Sequence, residues 1–342
     1  MAQAAAAAGD ALKRKGRASL YRIVGIIVGL VVLLVAVNVA THGDFLAPGN
    51  VLNILRQIAV NAILATGQTF VIITAGIDLS VGSLVALTGV LMAGTLAGIH
   101  TPWLAVLVAI VVGIAVGGGA GAINGTPVVK FGLPPFITTL AMMLMARGVA
   151  FMFTNGAPIE IDNAGFNDLG SGLLLPTLGR LVHIPGIPVP IVIMVAVVVA
   201  ASFVLGQTRF GRYVYAIGGN REAARRAGIS VNRIRVLAYM LAGFTATAAL
   251  IIVDSRGGGA TTSIDGGQTV LYGVAAAVIG GTSLLGGRGK MVHALLGGLV
   301  IATIYNGMGL ISLSADIQYM VTALVLIAAA TVDALSRRGQ NA

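Results

Sequence analysis

Long apolar runs follow one another along the chain, separated by short segments that are polar or rich in glycine. About 20 consecutive apolar residues are what an α-helix needs to cross the hydrocarbon core of a bilayer. The pattern predicts ten transmembrane helices, at residues 22–41, 51–75, 79–98, 103–124, 134–153, 187–206, 234–254, 268–286, 292–312 and 317–334. Strands that alternate polar and apolar residues are not seen, which argues against a membrane β-barrel. We therefore predict an all-α, polytopic membrane protein.

Composition supports this class. Hydrophobic residues make up 57% of the chain and charged residues only 9%, values far from those of soluble domains. The 48 glycines suit helices that pack closely in lipid, where small residues let backbones approach. The chain has no cysteine, and its four histidines are scattered, so we expect neither disulfides nor a metal site.

Charge is distributed unevenly between the predicted loops, and this distribution indicates the orientation. Basic residues fall in the N-terminal tail and in the loops on the same side, whereas the other loops carry most of the acidic residues. The positive-inside rule then places both termini in the cytoplasm. We predict a basic cytoplasmic tail at residues 1–20, a transmembrane domain at 21–335 and a cytoplasmic tail at 336–342. The net charge of +10 reports this orientation and does not indicate a nucleic-acid partner.

The predicted cytoplasmic loop 207–235 is the most basic part of the chain. It holds seven of the 21 lysines and arginines, and within it residues 220–228 have the features of a short helix. Asn220 is a good N-cap, Glu222 lies in the first turn, and Gly228 suits the left-handed residue that closes a helix. A helix of about seven residues is unstable alone in water. We expect it to dock on a soluble partner; the alternative is an ordinary basic loop.

Six polar side chains fall within or beside the predicted spans, where they must pair or line a wet cavity. They are Asn61, Gln68, Asp78, Asn124, Arg147 and Asn306. Neutral amides suit a solute with hydroxyl groups, which both donate and accept hydrogen bonds. The five other than Arg147 are therefore candidates for a substrate pathway, and each amide has an interhelical hydrogen bond as its alternative. Asp78 could instead cap the next helix with Ser80, and we expect Arg147 to pair or snorkel near the outer side.

A faint internal repeat relates the two halves of the chain. Asn124 precedes Phe136 by 12 residues, and Asn306 precedes Gln318 by the same 12. Each pair follows an Ile-Asp dipeptide, ending at Asp78 in the first half and at Asp265 in the second. The predicted topology puts these two aspartates on opposite sides, so we expect an inverted repeat, as transporters often have. Chance similarity between glycine-rich helices is the alternative.

Several motifs resemble those of the ribose-type sugar permease family of bacterial ABC importers. They are Thr74–Ser83 (TAGIDLSVGS), Pro134–Leu140 (PPFITTL), Ala216–Ala224 (AIGGNREAA) and Gly280–Gly287 (GGTSLLGG). The motifs occur in the family order, and the resemblance covers residues 20–335. The Ala-rich N-terminus has no counterpart in the family. In many importers a proline follows the Glu-Ala-Ala motif, and in this chain it is missing after Leu237.

The resemblance implies a homodimer in the bacterial inner membrane, driven by a cytoplasmic ABC ATPase and supplied by a periplasmic sugar-binding protein. It places the ATPase contact at Asn220, Glu222, Ala223, Ala224 and Gly228, and it assigns ATP and Mg²⁺ to the ATPase rather than to this chain. The expected substrates are ribose, other pentoses or hexoses, and inositol. The outer loops, with Asp254 and Arg256, are where we expect the binding protein to dock.

Other function classes fit the sequence less well. The only Gly-Lys pair, Gly289-Lys290, lacks the remaining P-loop residues, so the chain is not expected to hydrolyse ATP. Clustered catalytic side chains within the spans are missing, which argues against a membrane enzyme. An ion-coupled secondary transporter would have no use for the short cytoplasmic helix. A permease for branched-chain amino acids remains the nearest alternative, and the sequence does not choose among the sugars.

Overall fold

α-Helices make up most of the described chain. A computed structural model describes residues 25, 27–175, 186–262 and 266–341, with only the backbone given for 266–268 and 332–341. The predicted tail at 1–20 and Asp265 of the predicted repeat lie outside the described residues. The helices are α1 (Ile27–Ala40), α2 (Pro48–Ile73), α3 (Val81–Leu96), α4 (Pro102–Lys130), α5 (Pro135–Thr154), α6 (Ala164–Ser171), α7 (Val189–Gln207), α8 (Arg209–Gly219), α9 (Arg221–Arg226), α10 (Val231–Gly257), α11 (Gly266–Ile279), α12 (Met291–Leu310) and α13 (Ala315–Asn341).

Two short antiparallel strand pairs join the loops at one end of the bundle. Strand β1 (Ile159–Glu160) pairs with β4 (Gly259–Ala260), and β2 (Leu173–Leu174) pairs with β3 (Ile187–Pro188). The first pair fastens the segment after α5 to the end of α10. The second fastens the end of α6 to the start of α7.

A helix lies at each of the ten predicted spans, and the all-α membrane class is confirmed. Six helices of the described chain, α2, α4, α5, α7, α10 and α12, are long and apolar enough to cross a membrane. The apolar parts of α1, α3, α11 and α13 are shorter within the described residues. With 16 residues, α3 is about 24 Å long, less than the thickness of a hydrocarbon core. Ten crossings therefore stay a prediction.

Three predicted ends differ from the structure by about six residues or more, and one of them is the span predicted at 317–334, whose helix continues to Asn341. The span predicted at 268–286 ends as a helix at Ile279, because the next residues are glycines and Gly281 has a φ of +102°, a conformation that ends helices. The span predicted at 103–124 continues to Lys130. Pro127 lies inside this last part of α4 without ending it.

Helix α2 forms the centre of the bundle, and 83% of its most apolar 18-residue stretch is buried. Helices α7, α10, α11 and α12 pack around it. Helices α4 and α10 lie in close contact and meet through small residues spaced four apart, as membrane helices commonly do. There Thr247 of α10 donates a hydrogen bond of 3.0 Å to the Gly113 carbonyl of α4, and Gly117 and Gly243 lie backbone against backbone.

Candidate functional site

The short helix α9 begins at a side-chain cap. Asn220 has an extended backbone, and its Oδ1 accepts a hydrogen bond of 2.9 Å from the Ala223 N–H. This bond satisfies one of the amides that the first turn of a helix leaves free. Glu222 lies in the first turn and Arg225 and Arg226 in the last, so both ends complement the helix dipole.

The end of α9 is closed by two backbone bonds. The Ala227 N–H donates to the Ala223 carbonyl at 2.9 Å, and the Ile229 N–H donates to the Ala224 carbonyl at 3.1 Å. Gly228 between them has a φ of +80°, which residues with a side chain rarely adopt. The six-residue helix is therefore defined at both ends by its own sequence.

One face of α9 is attached to the molecule and the other is open. Ala224 is only 4% exposed and packs in the main hydrophobic cluster. Asn220, Glu222 and Ala223 are exposed. The only ion pair among the described residues joins Glu222 to Arg226 at 3.3 Å on this open face, where solvent makes it weak. The open face is thus available to a partner.

Helix α8 connects α9 to the membrane bundle, and it was missed in the sequence because residues 207–219 were read only as part of a basic loop. Thr208 caps it, accepting from the Gly211 N–H at 3.2 Å. Val214 and Ile217 are buried. The spacing of Phe210, Val214 and Ile217 on one face is the signal that could have revealed this amphipathic helix.

The contacts of α8 reach the end of the central helix. The Tyr215 hydroxyl donates to the Gly289 carbonyl at 2.6 Å, and burial raises the pKa of this phenol above its ordinary value. Gly218 lies against the Ile73 carbonyl at the end of α2 and against the backbone of Gly287. The Gly287 N–H in turn donates to the Ile73 carbonyl at 2.9 Å. The end of α8, the backbone at Gly287 and the end of α2 are therefore in mutual contact.

The break between α2 and α3 holds a buried polar cluster. Asp78 is fully buried, and its Oδ1 accepts hydrogen bonds from the Ser80 N–H at 2.9 Å and from the Ser80 hydroxyl at 2.6 Å. The Asn124 amide donates to the same hydroxyl at 2.6 Å, and the Gln68 amide donates to the Asp78 carbonyl at 2.7 Å. The structure thus brings together three of the five candidate pathway residues: Gln68, Asp78 and Asn124.

In this conformation the cluster links helices, and its side chains are buried. Gln68 is 1% exposed and Asn124 is fully buried, which matches the interhelical alternative, and Asp78 holds the start of α3 with Ser80. Yet Asp78 Oδ2, Gln68 Oε1 and Asn124 Oδ1 find no hydrogen-bond partner in the described part of the chain. Leaving such groups unpaired costs roughly 1–3 kcal/mol each.

The other candidates lie apart from this cluster. Asn306 exchanges two hydrogen bonds with Asn50, of 2.8 and 3.0 Å. Asn61 is buried on α2, on the same helix face as Gln68, and borders a pocket. Arg147 is exposed on α5, with its guanidinium carbon 6.0 Å from the centre of the Phe151 ring.

Asp254, expected among the outer docking residues, is only 1% exposed. The carboxylate lies inside the bundle against Gly89, so it is not presented to a partner in this conformation. Arg256, two residues later, is exposed.

Comparison with known proteins gives a consistent family. Residues 50–330 match the family model described as "Branched-chain amino acid transport system / permease component". The chain is 42% identical over 307 residues to the ribose import permease protein RbsC of Escherichia coli (strain K12), covering 90% of this chain and 92% of that protein. It is 41% identical over 311 residues to the RbsC of Bacillus subtilis (strain 168), with 90% and 92% covered.

A more distant relative carries another sugar name. The xylose transport system permease protein XylH of Escherichia coli (strain K12) is 31% identical over 366 residues, covering 91% of each chain. We find no solved structure that matches this chain.

Proposed function

This chain belongs to the permease family of the branched-chain amino acid transport type, and we propose that it is the membrane-spanning subunit of an ABC importer for a monosaccharide. The observation that carries the proposal is the likeness to ribose import permeases, at 41–42% identity over nine-tenths of the chain. It is a transporter subunit and not an enzyme.

The substrate class follows from the relatives rather than from the description of the family model. That description names branched-chain amino acids, whereas the relatives compared above carry the names of ribose and xylose. The neutral amide of Asn61, which borders a pocket, also suits a hydroxylated solute better than a zwitterion. Ribose is the first substrate to test, with xylose and inositol after it.

The partners follow from the open face of α9. We infer that a cytoplasmic ABC ATPase receives Asn220, Glu222 and Ala223, while a periplasmic binding protein delivers sugar at the opposite end of the bundle. ATP and Mg²⁺ belong to the ATPase. Two copies of this chain would form the pathway between them, with ten crossings each in the bacterial inner membrane and both termini in the cytoplasm.

A secondary transporter is the second candidate, and one observation favours it. Asp78 is a fully buried carboxylate with one unpaired oxygen among the described residues, as an ion-coupled carrier could use. The Asp78 hydrogen bonds to Ser80 account for its position without ion coupling. The exposed helix α9 has no role in such a carrier, so the importer is the better proposal.

The test is purification from native membranes in mild detergent, followed by reconstitution into liposomes. We expect an ATPase to co-purify with the wild-type chain and to be lost with Glu222→Ala. Uptake of D-ribose or D-xylose should require ATP, the ATPase and a binding protein. A chain that purifies alone and moves solute without ATP would show that the importer proposal is wrong.

A further inference from the structure

A pocket of about 500 Å³ lies between α2, α10, α11 and α12. It borders the last turn of α10, about 38 Å along that helix from the end next to α9. Its polar lining comes from seven side chains on these four helices: Arg56, Gln57, Asn61, Arg256, Thr269, Tyr272 and Tyr305. The size falls within the range of small-molecule sites, with room for a monosaccharide and bound water.

Each of the two arginines is held in place by one hydrogen bond and has further N–H donors. Arg56 donates one bond of 3.0 Å to the Ser171 carbonyl, and Arg256 donates one of 3.1 Å to Asn53 Oδ1. Within the described ranges neither forms an ion pair with a carboxylate, and Arg56 Nε is buried without an acceptor. A guanidinium carries five N–H donors, so this end of the pocket can bind an acceptor-rich ligand.

The amides of α2 continue inward from the arginines. Gln57 is half-buried and Asn61 is 8% exposed one turn deeper. Gln57 Oε1 is buried and finds no donor in the described part of the chain. The pocket therefore offers both donors and acceptors, as a sugar hydroxyl requires.

Two aromatic rings add apolar lining to the pocket. The rings of Tyr272 and Tyr305 lie with centroids 5.4 Å apart and planes at 59°, an ordinary tilted geometry. An aromatic ring in the wall of a pocket can pack against the C–H face of a sugar ring. Cations, amides and aromatic rings together fit a neutral polyhydroxylated solute, whereas a protein carboxylate would use the cations alone.

We propose that this pocket is a binding site for a monosaccharide within a single subunit, on the side of the membrane opposite to α9. The inference rests on the proposed sugar importer and adds a site to it. Below Asn61 the same face of α2 leads to Gln68, but α11 covers it. A side-chain carbon added at Gly273 would lie 3.2 Å from Leu64 Cβ and 3.7 Å from Gln68 Cγ. Moving α11 away from α2 would extend the pocket towards the buried cluster.

The direct test is sugar binding to the full chain in lipid nanodiscs, without ATPase or binding protein. Saturation-transfer NMR with D-ribose, D-xylose and myo-inositol reports weak binding. We expect a signal with the wild type, and at least a tenfold loss of affinity with Gln57→Leu and with Tyr305→Leu. Tyr305→Phe keeps the ring and should keep most of the binding. Gln207→Leu, at an exposed glutamine on the end of α7, is the matched control and should bind as the wild type does.

The variant Gln57→Glu distinguishes a loss of sugar binding from a loss of folding. Its carboxylate would lie near the two guanidiniums and compete with the sugar for them, so we expect a folded protein that has lost sugar binding. No signal with any of the three sugars, or equal signals in all variants, overturns the proposed site. If Arg56→Gln instead weakens docking of the binding protein and leaves the sugar signal unchanged, the arginines serve a protein carboxylate and the site proposal is wrong.

ATP-driven uptake by the reconstituted complex separates this proposal from the function itself. In one outcome the wild-type complex imports sugar, and the Gln57 and Tyr305 variants import and bind it equally well. That result would support the importer proposal and reject the pocket. Failure of the wild-type complex to import any of the three sugars would reject the proposed substrate class, and the binding measurement would still decide whether the pocket takes a sugar.

Discussion

Asn220 supports the first turn of α9 through one side-chain hydrogen bond, to the Ala223 N–H. Replacing an N-cap asparagine by alanine costs about 1 kcal/mol, a large fraction of the stability that six residues can have. We expect Asn220→Ala to lower ATP-dependent uptake severalfold and to weaken retention of the ATPase. Asn220→Ser keeps a cap and should behave as the wild type. Equal uptake in both variants would show that α9 does not need its cap.

Substitutions at Asp78 distinguish the role of its negative charge from its role as a hydrogen-bond acceptor. Asparagine can still accept the Ser80 N–H and hydroxyl bonds that Asp78 Oδ1 accepts at 2.9 and 2.6 Å. We expect Asp78→Asn to fold and to transport at near the wild-type rate. Asp78→Ala leaves buried donors unpaired, which costs roughly 1–3 kcal/mol, and should lower Tm. A folded Asp78→Asn variant without uptake would instead show that the carboxylate itself is required.

At the scale of elements, α8 gives a sharp test because two adjacent glycines differ in their surroundings. A side-chain carbon on Gly218 would collide with the Ile73 carbonyl and with Gly287, whereas one on Gly219 meets nothing within 4 Å. We expect Gly218→Ala to separate α8 from α2, so that the complex hydrolyses ATP with strongly reduced sugar uptake. Gly219→Ala is the control and should couple normally.

The measurement is the ratio of sugar imported to ATP hydrolysed in proteoliposomes. A lower ratio in Gly218→Ala alone supports the path from α9 through α8 to the end of α2. A normal ratio in a correctly folded Gly218→Ala variant would show that movement reaches the bundle by another route, such as α10.

The elements differ in how far their sequence reveals them. Hydropathy located the six helices that are long and apolar enough to cross a membrane, and also the four shorter apolar helices, because crossing lipid demands a continuous apolar run. It missed α8, whose apolar face is narrow and set among arginines, and it extended α11 past the glycines at 280 and 281. The cap of α9 was visible from Asn220 and Gly228, since local sequence alone determines it. Contacts between distant segments, such as Gly218 with Ile73, leave no local signal.

The candidate site illustrates the same limit at the scale of the whole molecule. Sequence reasoning selected Asn61, Gln68 and Asn124 by chemistry, but it could not tell that Asn61 borders a pocket while the other two are closed in. That pocket combines residues near 57, 256, 272 and 305, so only the folded bundle reveals it. Large apolar side chains remain exposed along α4, α5 and α7, which suits contact with lipid or with a second copy.

The number of crossings is the property of the whole molecule that most needs a measurement, because four of the ten helices have short apolar parts. The chain has no cysteine, so single cysteines can be introduced at exposed loop positions and labelled from either side of the membrane. Ten crossings predict that one set, Gly132, Ala223 and Leu285, reacts from the cytoplasmic side, and that the other set, His42, Gly98, Ala157 and Ser312, reacts from the outer side. If Gly98 and Gly132 react from the same side, α4 does not cross. If His42 and Gly98 react from opposite sides, α2 and α3 do not both cross the membrane. The orientation predicted from the positive-inside rule is then wrong for the first half of the chain.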